Sequence, residues 1–278
     1  MKTQEFNWKN ADGLKIFGKY HAPESGAKAV IAMVHGMGEH CQRYDSWAKR
    51  FTEKGYAFIA FDHIGHGKSE GKRGHVNAYD RLLESVDQLL DKAREYFPEL
   101  PVFLYGHSMG GNVVLNYAIK NPDAKIKGII CSSPWLKLAF DPPAIQVKLG
   151  RLVNNIFPAF TQSTKLDAAA ISRDPKEVEA YENDPLVHDR ISTMFFISAH
   201  EAGLYALENA DKIKNPLLLF HGTSDQLTSY KASEEFADKV QAPLKFELFE
   251  GAFHEIHNDY DRDKLFQLIT SWSENLLN

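Results

Sequence analysis

The sequence predicts an α/β chain, a mostly parallel central sheet with helices on both faces and a helical cap inserted into it. Two observations carry that expectation. Short β-rich apolar runs alternate with longer segments of helical periodicity, the pattern of parallel strands joined by crossover helices. One stretch of roughly seventy-five residues, from Pro134 to about Ala210, then interrupts the alternation with helical periodicity and no convincing strand. The 278 residues, 44% of them apolar, suffice for a sizeable core in one large domain or two modest ones.

Each element has its own signal. Gln4–Asn10 and Lys15–Ala22, separated by Ala11-Asp12-Gly13, read as an opening antiparallel hairpin. Parallel strands are expected at Ala27–His35, Tyr56–Asp62, Val102–Gly106, Ile126–Ser132, Pro216–His221 and Lys245–Glu250, whose near-continuous apolar character suits burial on both faces. Helices are expected at Tyr44–Lys54, Tyr79–Phe97, Gly110–Lys120, Lys231–Val240 and Asp261–Leu277. The clearest is Tyr79–Phe97, with Leu82, Val86, Leu89, Leu90 and Ala93 at helical spacing and Pro98 closing it. Within the interruption, Pro142-Pro143 open an amphipathic run with Ile145, Leu149, Leu152, Ile156 and Phe160 on one face and Lys148 and Arg151 among its polar positions. That run reads either as a helix packed on the main domain or as a lid whose apolar face meets lipid or substrate. The core domain is therefore taken as 1–134 with 211–278, and the cap as 135–210.

Composition removes several function classes. Thirty-two Lys plus Arg against 37 Asp plus Glu give a net charge of −5 with no basic stripe, so no nucleic-acid partner is expected. Two cysteines, Cys41 and Cys131, make no disulfide framework, and the polar start MKTQEFNWKN lacks a secretory h-region, so a cytoplasmic location is expected. The longest apolar runs have six residues where a bilayer span needs about 20. Attachment at a membrane surface through the cap stays open, as does the oligomeric state.

The chemistry is concentrated at strand ends. Val102–Gly106 runs into Gly106-His107-Ser108-Met109-Gly110-Gly111 and then a helix, the context a nucleophile elbow requires. The bare G-x-S-x-G pattern arises by chance in roughly one chain in ten of this length; its setting is what counts. The turn strains Ser108, and Gly106 and Gly110 lack the bulk that would keep strand and helix apart. A serine nucleophile needs a base and an orienting acid, arriving later in the order acid, then histidine. Asp225 follows the strand ending at His221, and His254 follows the strand ending at Glu250, 29 residues further on, enough for one helix and one strand; His257, three residues further from the strand end, is the alternative base. Met109 would supply one oxyanion amide, and Met37, in His35-Gly36-Met37-Gly38 after the first parallel strand, the second.

At this point the sequence resembles the α/β-hydrolases of the monoacylglycerol lipase and lysophospholipase type. HGMGEHCQRY at 35–44, FDHIGHGKSEG at 61–71, SRDPKEVEAYENDPLV at 172–187 and GAFHEIH at 251–257 carry the resemblance over nearly the whole chain. It implies Ser108 as nucleophile, Asp225 and His254 completing a triad, and Met37 and Met109 as oxyanion donors. It also implies a polar pocket for the glycerol end of a substrate from Glu39, Arg43, Tyr181 and His257. Glu39 and Arg43, four apart near a helix start, read equally as a structural ion pair.

Other readings fail on their residues. Asp62, His63 and His66 come with no H-E-x-x-H or paired C-x-x-C, so no metal is expected. Gly67-Lys68-Ser69 imitates a Walker A end, but the position of its first glycine is Asp62. His254 with Asp259 fits an acyltransferase spacing that chance readily produces. The expected activity is that of a cofactor-free serine ester hydrolase cleaving monoacylglycerols or similar single-chain lipid esters. The alternatives are a lysophospholipase or general carboxylesterase, an acyltransferase, and a ligand-binding receptor on the same fold.

Overall fold

The computed structural model describes residues 1–140, 150–154 and 156–278. Strands β1 (Lys2–Lys9), β2 (Lys15–Ala22), β3 (Ala29–Val34), β4 (Tyr56–Phe61), β5 (Val102–His107) and β6 (Gly128–Ser132) alternate with helices α1 (Asp45–Glu53), α2 (Asp80–Tyr96) and α3 (Met109–Lys120). After β6 come β7 (Thr161–Ser163), α4 (Pro175–Glu182), β8 (Arg190–Ser192) and α5 (Thr193–Glu208). The chain ends with β9 (Leu217–Gly222), α6 (Tyr230–Ala237), β10 (Leu244–Phe249) and α7 (Arg262–Leu277).

Eight strands form one sheet in the order β1-β2-β4-β3-β5-β6-β9-β10. The β1–β2 and β2–β4 pairs are antiparallel and all pairs from β4 to β10 are parallel. The opening hairpin turns at Gly13, whose φ of 78° is a left-handed conformation that glycine adopts without strain. Strands β3, β4, β5, β6 and β9 are buried along their whole length, as their uninterrupted apolar runs require. The edge strand β10 departs from that expectation, because only Phe249 is buried in LKFELF. An edge position leaves one side of the ladder unpaired, which suits its Lys245 and Glu247.

Helix α2 buries Leu82, Val86, Leu89, Leu90 and Ala93, the expected face, and ends one residue before Phe97-Pro98. Two apolar cores lie on the two faces of the sheet, one with α2 and α3, the other with α1 and α7. Cys131 is a buried member of the first and Cys41 of the second, both free thiols.

The segment between β6 and β9 holds a correction. It contains a two-stranded antiparallel ribbon, β7 with β8, where the sequence suggested no strand. Strands of three residues, reading TQS and RIS, are too short to show a period of two. The long helix α5 is locked onto α3, since buried Asn112 and Asn116 donate to the carbonyls of Ala199 and Ala202 at 3.0 Å each. Of the amphipathic run, Pro142, Pro143, Ile145, Lys148 and Leu149 lie outside the described residues. Leu152, Ile156, Phe157 and Phe160 are more than half exposed, and Phe140 likewise.

Candidate active site

The sheet brings Met37, Ser108, Asp225 and His254 to the same end of its parallel strands. Met37 follows β3, Ser108 follows β5, Asp225 follows β9 and His254 follows β10, all at the carboxyl ends of parallel strands. The ordering is a direct result of right-handed crossovers through helices, which return each strand to the same direction.

Ser108 sits between β5 and α3 with φ 55° and ψ −117°, a conformation costing a non-glycine residue about 1–3 kcal/mol. Neighbours enforce it. A β-carbon on Gly106 would strike the Gly110 carbonyl oxygen, and one on Gly110 would strike that of Val34. The turn is pinned by Ser108 N donating to Ser132 O at 2.9 Å and by Trp135 N donating to Ser108 O at 3.0 Å.

Asp225 is almost fully buried and densely bonded. Its Oδ1 accepts from the amides of Leu227 (2.7 Å) and Thr228 (3.1 Å); its Oδ2 accepts from His254 Nδ1 (2.6 Å), His221 Nε2 (2.9 Å) and Thr228 Oγ1 (2.9 Å). Burial alone would push its carboxyl up, but His254 and His221 outweigh it and hold the group well below the usual carboxylate range. An ionised carboxylate only accepts, so both ring nitrogens facing it carry protons. His254 is therefore protonated on Nδ1 when neutral, which leaves Nε2 as a free lone pair on a ring lining the same cavity as Ser108. Burial pushes His254 down, Asp225 pulls it up, and the net position is above an ordinary histidine. Ser108 Oγ makes no hydrogen bond to His254 in this conformation.

The Met109 N–H begins α3, where helical amides have no partner four residues back, and the Met37 N–H lies in the loop after β3. Among the described residues neither amide donates to a protein acceptor. Gly38, at φ 78°, turns that loop, and its carbonyl accepts from His188 N at 2.9 Å. Ser108, Met37 and His254 line a cavity of about 370 Å³ whose walls include Trp135, Leu138, Phe140, Ile171, Ile191 and Phe196. The lining also includes the polar Glu39, Thr164, Lys165, Gln226 and Thr228.

The family model described as serine aminopeptidase, S33, matches residues 25–261. Monoglyceride lipase of Mus musculus is 32% identical over 269 residues, covering 95% of this chain and 88% of that protein. A solved structure, the monoacylglycerol lipase of Paleococcus ferrophilus, superposes with a TM-score of 0.83 at 33% identity over 100% of this chain and 99% of its own. The chain belongs to the monoglyceride lipase family of α/β-hydrolases. One further relative is longer: an uncharacterized abhydrolase domain-containing protein of Dictyostelium discoideum is 34% identical over 246 residues, and the chain spans 26% of its length.

In this monoglyceride lipase family member the four residues suggested for a glycerol pocket separate. Glu39 and Tyr181 line the cavity; Arg43 and His257 do not. Glu39 Oε1 accepts from Gly36 N (2.6 Å) and Tyr44 OH (2.9 Å), and Oε2 from Arg43 Nη1 (2.9 Å). The ion pair read from the i, i+4 spacing is thus present. Arg43 is also held bidentately by Glu255, at 2.7 Å for both bonds. Burial pushes Glu39 up against the pull of Arg43; it acts on Glu255 as well, but there the guanidinium wins and holds the carboxyl below its usual range. His257 stacks on Tyr44 and meets His107 edge-on, and burial pushes it down to about 3, so it is neutral.

Glu255 and His221 are cavity and acid partners that the sequence reading did not single out. Glu255 had a signal in its place beside His254 within GAFHEIH; His221, at a strand end, had none beyond its burial in an apolar run. Asp62, from the rejected metal cluster, is occupied by backbone, accepting from Cys41 N (2.8 Å) and Lys68 N (2.7 Å). Among the described residues no group of three or more His, Cys, Asp or Glu is placed to hold a metal ion.

Proposed function

We propose that this protein is a serine ester hydrolase that cleaves the acyl ester of monoacylglycerols or similar single-chain lipid esters through an acyl-enzyme on Ser108. The observation that carries the reading is the pairing of His254 Nδ1 with Asp225 at 2.6 Å on a ring that shares the cavity with the strained Ser108. With its Nδ1 proton committed to Asp225, His254 takes the Ser108 proton at Nε2 as the hydroxyl attacks the ester carbonyl. The amides of Met37 and Met109 receive the oxyanion, each worth about 3–4 kcal/mol in the transition state. His254 then returns the proton to the departing alcohol, and water releases the acid by the reverse path. The apolar walls take the acyl chain at about 0.8 kcal/mol per buried methylene. Glu39 and Tyr181, which line the cavity, are the residues proposed to meet the glycerol hydroxyls.

We take 135–210 as a cap over the core formed by 1–134 and 211–278. Its exposed Leu152, Ile156, Phe157 and Phe160 give it an apolar surface suited to a transient lipid contact. The test is hydrolysis of monoolein, lysophosphatidylcholine and a short nitrophenyl ester by the protein and by Ser108→Ala. Preferred cleavage of monoolein, abolished in the variant, is expected; a preference for lysophosphatidylcholine would move the assignment to a lysophospholipase.

A further inference from the structure

The loop after β3 carries Met37 and the loop after β10 carries His254, yet β5, β6 and β9 lie between these two strands in the sheet. No direct backbone ladder therefore joins β3 to β10, and the loops that follow them are linked through the sheet only by way of three strands. A side-chain chain spans that gap. The Gly36 amide donates to Glu39 at 2.6 Å, Arg43 Nη1 donates to Glu39 at 2.9 Å, and the same guanidinium grips both oxygens of Glu255 at 2.7 Å. Gly36 adjoins Met37 and Glu255 adjoins His254, so the chain runs from one catalytic neighbour to the other across residues 212 apart in sequence.

We propose that Arg43 is a positioning residue for ester hydrolysis, holding the oxyanion loop and the base loop at a fixed separation through Glu39 and Glu255. This rests on the reading of Ser108, His254 and Met37 given above. Arg43 is suited to the task. Its planar fork matches a carboxylate in two parallel bonds, which fixes orientation as well as distance. Its side chain is 8% exposed and lies outside the cavity lining, covered by the Tyr181 ring 4.8 Å from the guanidinium carbon. A substrate contact would present its donors to the cavity; three of the five N–H groups here go to the two carboxylates. Glu255 is itself braced, since its Oε2 accepts from Asn258 Nδ2 at 2.8 Å and its amide donates to Ile171 O at 2.8 Å. Both acids line the cavity while the cation stands behind them, the arrangement of a clasp rather than of a ligand site.

The experiment compares Arg43→Lys, Glu255→Gln and the double variant on two esters, monoolein and nitrophenyl butyrate, which lacks glycerol. Rates are expressed per Ser108 titrated by a fluorophosphonate, so that unfolded protein does not count. A positioning role predicts that kcat falls by the same factor on both esters, about 10–100-fold, because misplacement by about 1 Å costs that much. KM should change by less than about threefold. The double variant should lose no more than the worse single one, since either change breaks the same chain. A loss confined to monoolein and expressed in KM would overturn the proposal and return Arg43 to the substrate. If Arg43→Lys does not fold, Glu255→Gln, which keeps its size and one acceptor oxygen, carries the same prediction. Turnover that survives Ser108→Ala would overturn the underlying reading and the proposal with it. Loss of turnover in Ser108→Ala together with wild-type rates in the Arg43 and Glu255 variants would overturn the proposal alone.

Discussion

At the scale of single residues the account turns on which nitrogen of His254 holds a proton. Asp225 raises His254 above an ordinary histidine against the pull of burial, and the proposed role as base needs the neutral ring, so activity is expected to fall on acidification with a limb above about 6.5. Asp225→Asn removes the raising carboxylate and the acceptor that fixes the tautomer. The limb is expected to move to lower pH and kcat to drop by about 10⁴-fold; pH–rate profiles of both proteins check this, and an unchanged limb would contradict it. Ser108, Asp225 and His254 were legible because each follows a recognisable strand end with its own small-residue turn. Glu255 and His221 were not, because a buried carboxylate or imidazole declares its role only through a partner distant in sequence, here Arg43 and Asp225.

Elements place those residues, and the tightest placement is the β5–α3 elbow. Gly110→Ala puts a methyl group against the Val34 carbonyl, a rigid backbone neighbour. Overpacking of this kind costs about 1–3 kcal/mol, so a fall of several degrees in the melting temperature is expected, with Gly111→Ala milder because its nearest neighbours lie at 3.0 Å, tight but without the overlap met at Gly110. Equal melting temperatures for the two variants would contradict the steric account. The helix α2 and the fully buried strands were readable from periodicity and apolar runs alone, since a 17-residue helix offers several turns of pattern. The β7–β8 ribbon offers none: three polar-leaning residues per strand have their pairing decided by what surrounds them.

Across the whole molecule, the protein carries many buried imidazoles. Burial, reinforced by neighbouring histidines, holds His35, His63, His66 and His107 well below the ordinary histidine value, so the folded state keeps them neutral while the unfolded chain takes up protons. Stability is therefore expected to decline as pH falls through about 6.5, with His254 opposing the trend because its folded value is raised. Thermal melts at pH 7.5 and 5.5 test the sign; a higher melting temperature at 5.5 would contradict it. The exposed Ile156 and Phe157 lead to a second expectation at this scale. Replacing both with serine should slow hydrolysis of dispersed monoolein several-fold more than that of a soluble short-chain ester, and equal effects on the two substrates would overturn the lipid contact proposed for 135–210.

The expectations about activity depend on a covalent bond to one hydroxyl. Peptide mass spectrometry after rapid quenching from monoolein measures it most directly. An oleoyl adduct on the peptide containing Ser108, absent in Ser108→Ala, is the predicted result; an adduct on another residue, or turnover with Ser108 replaced, would contradict the account.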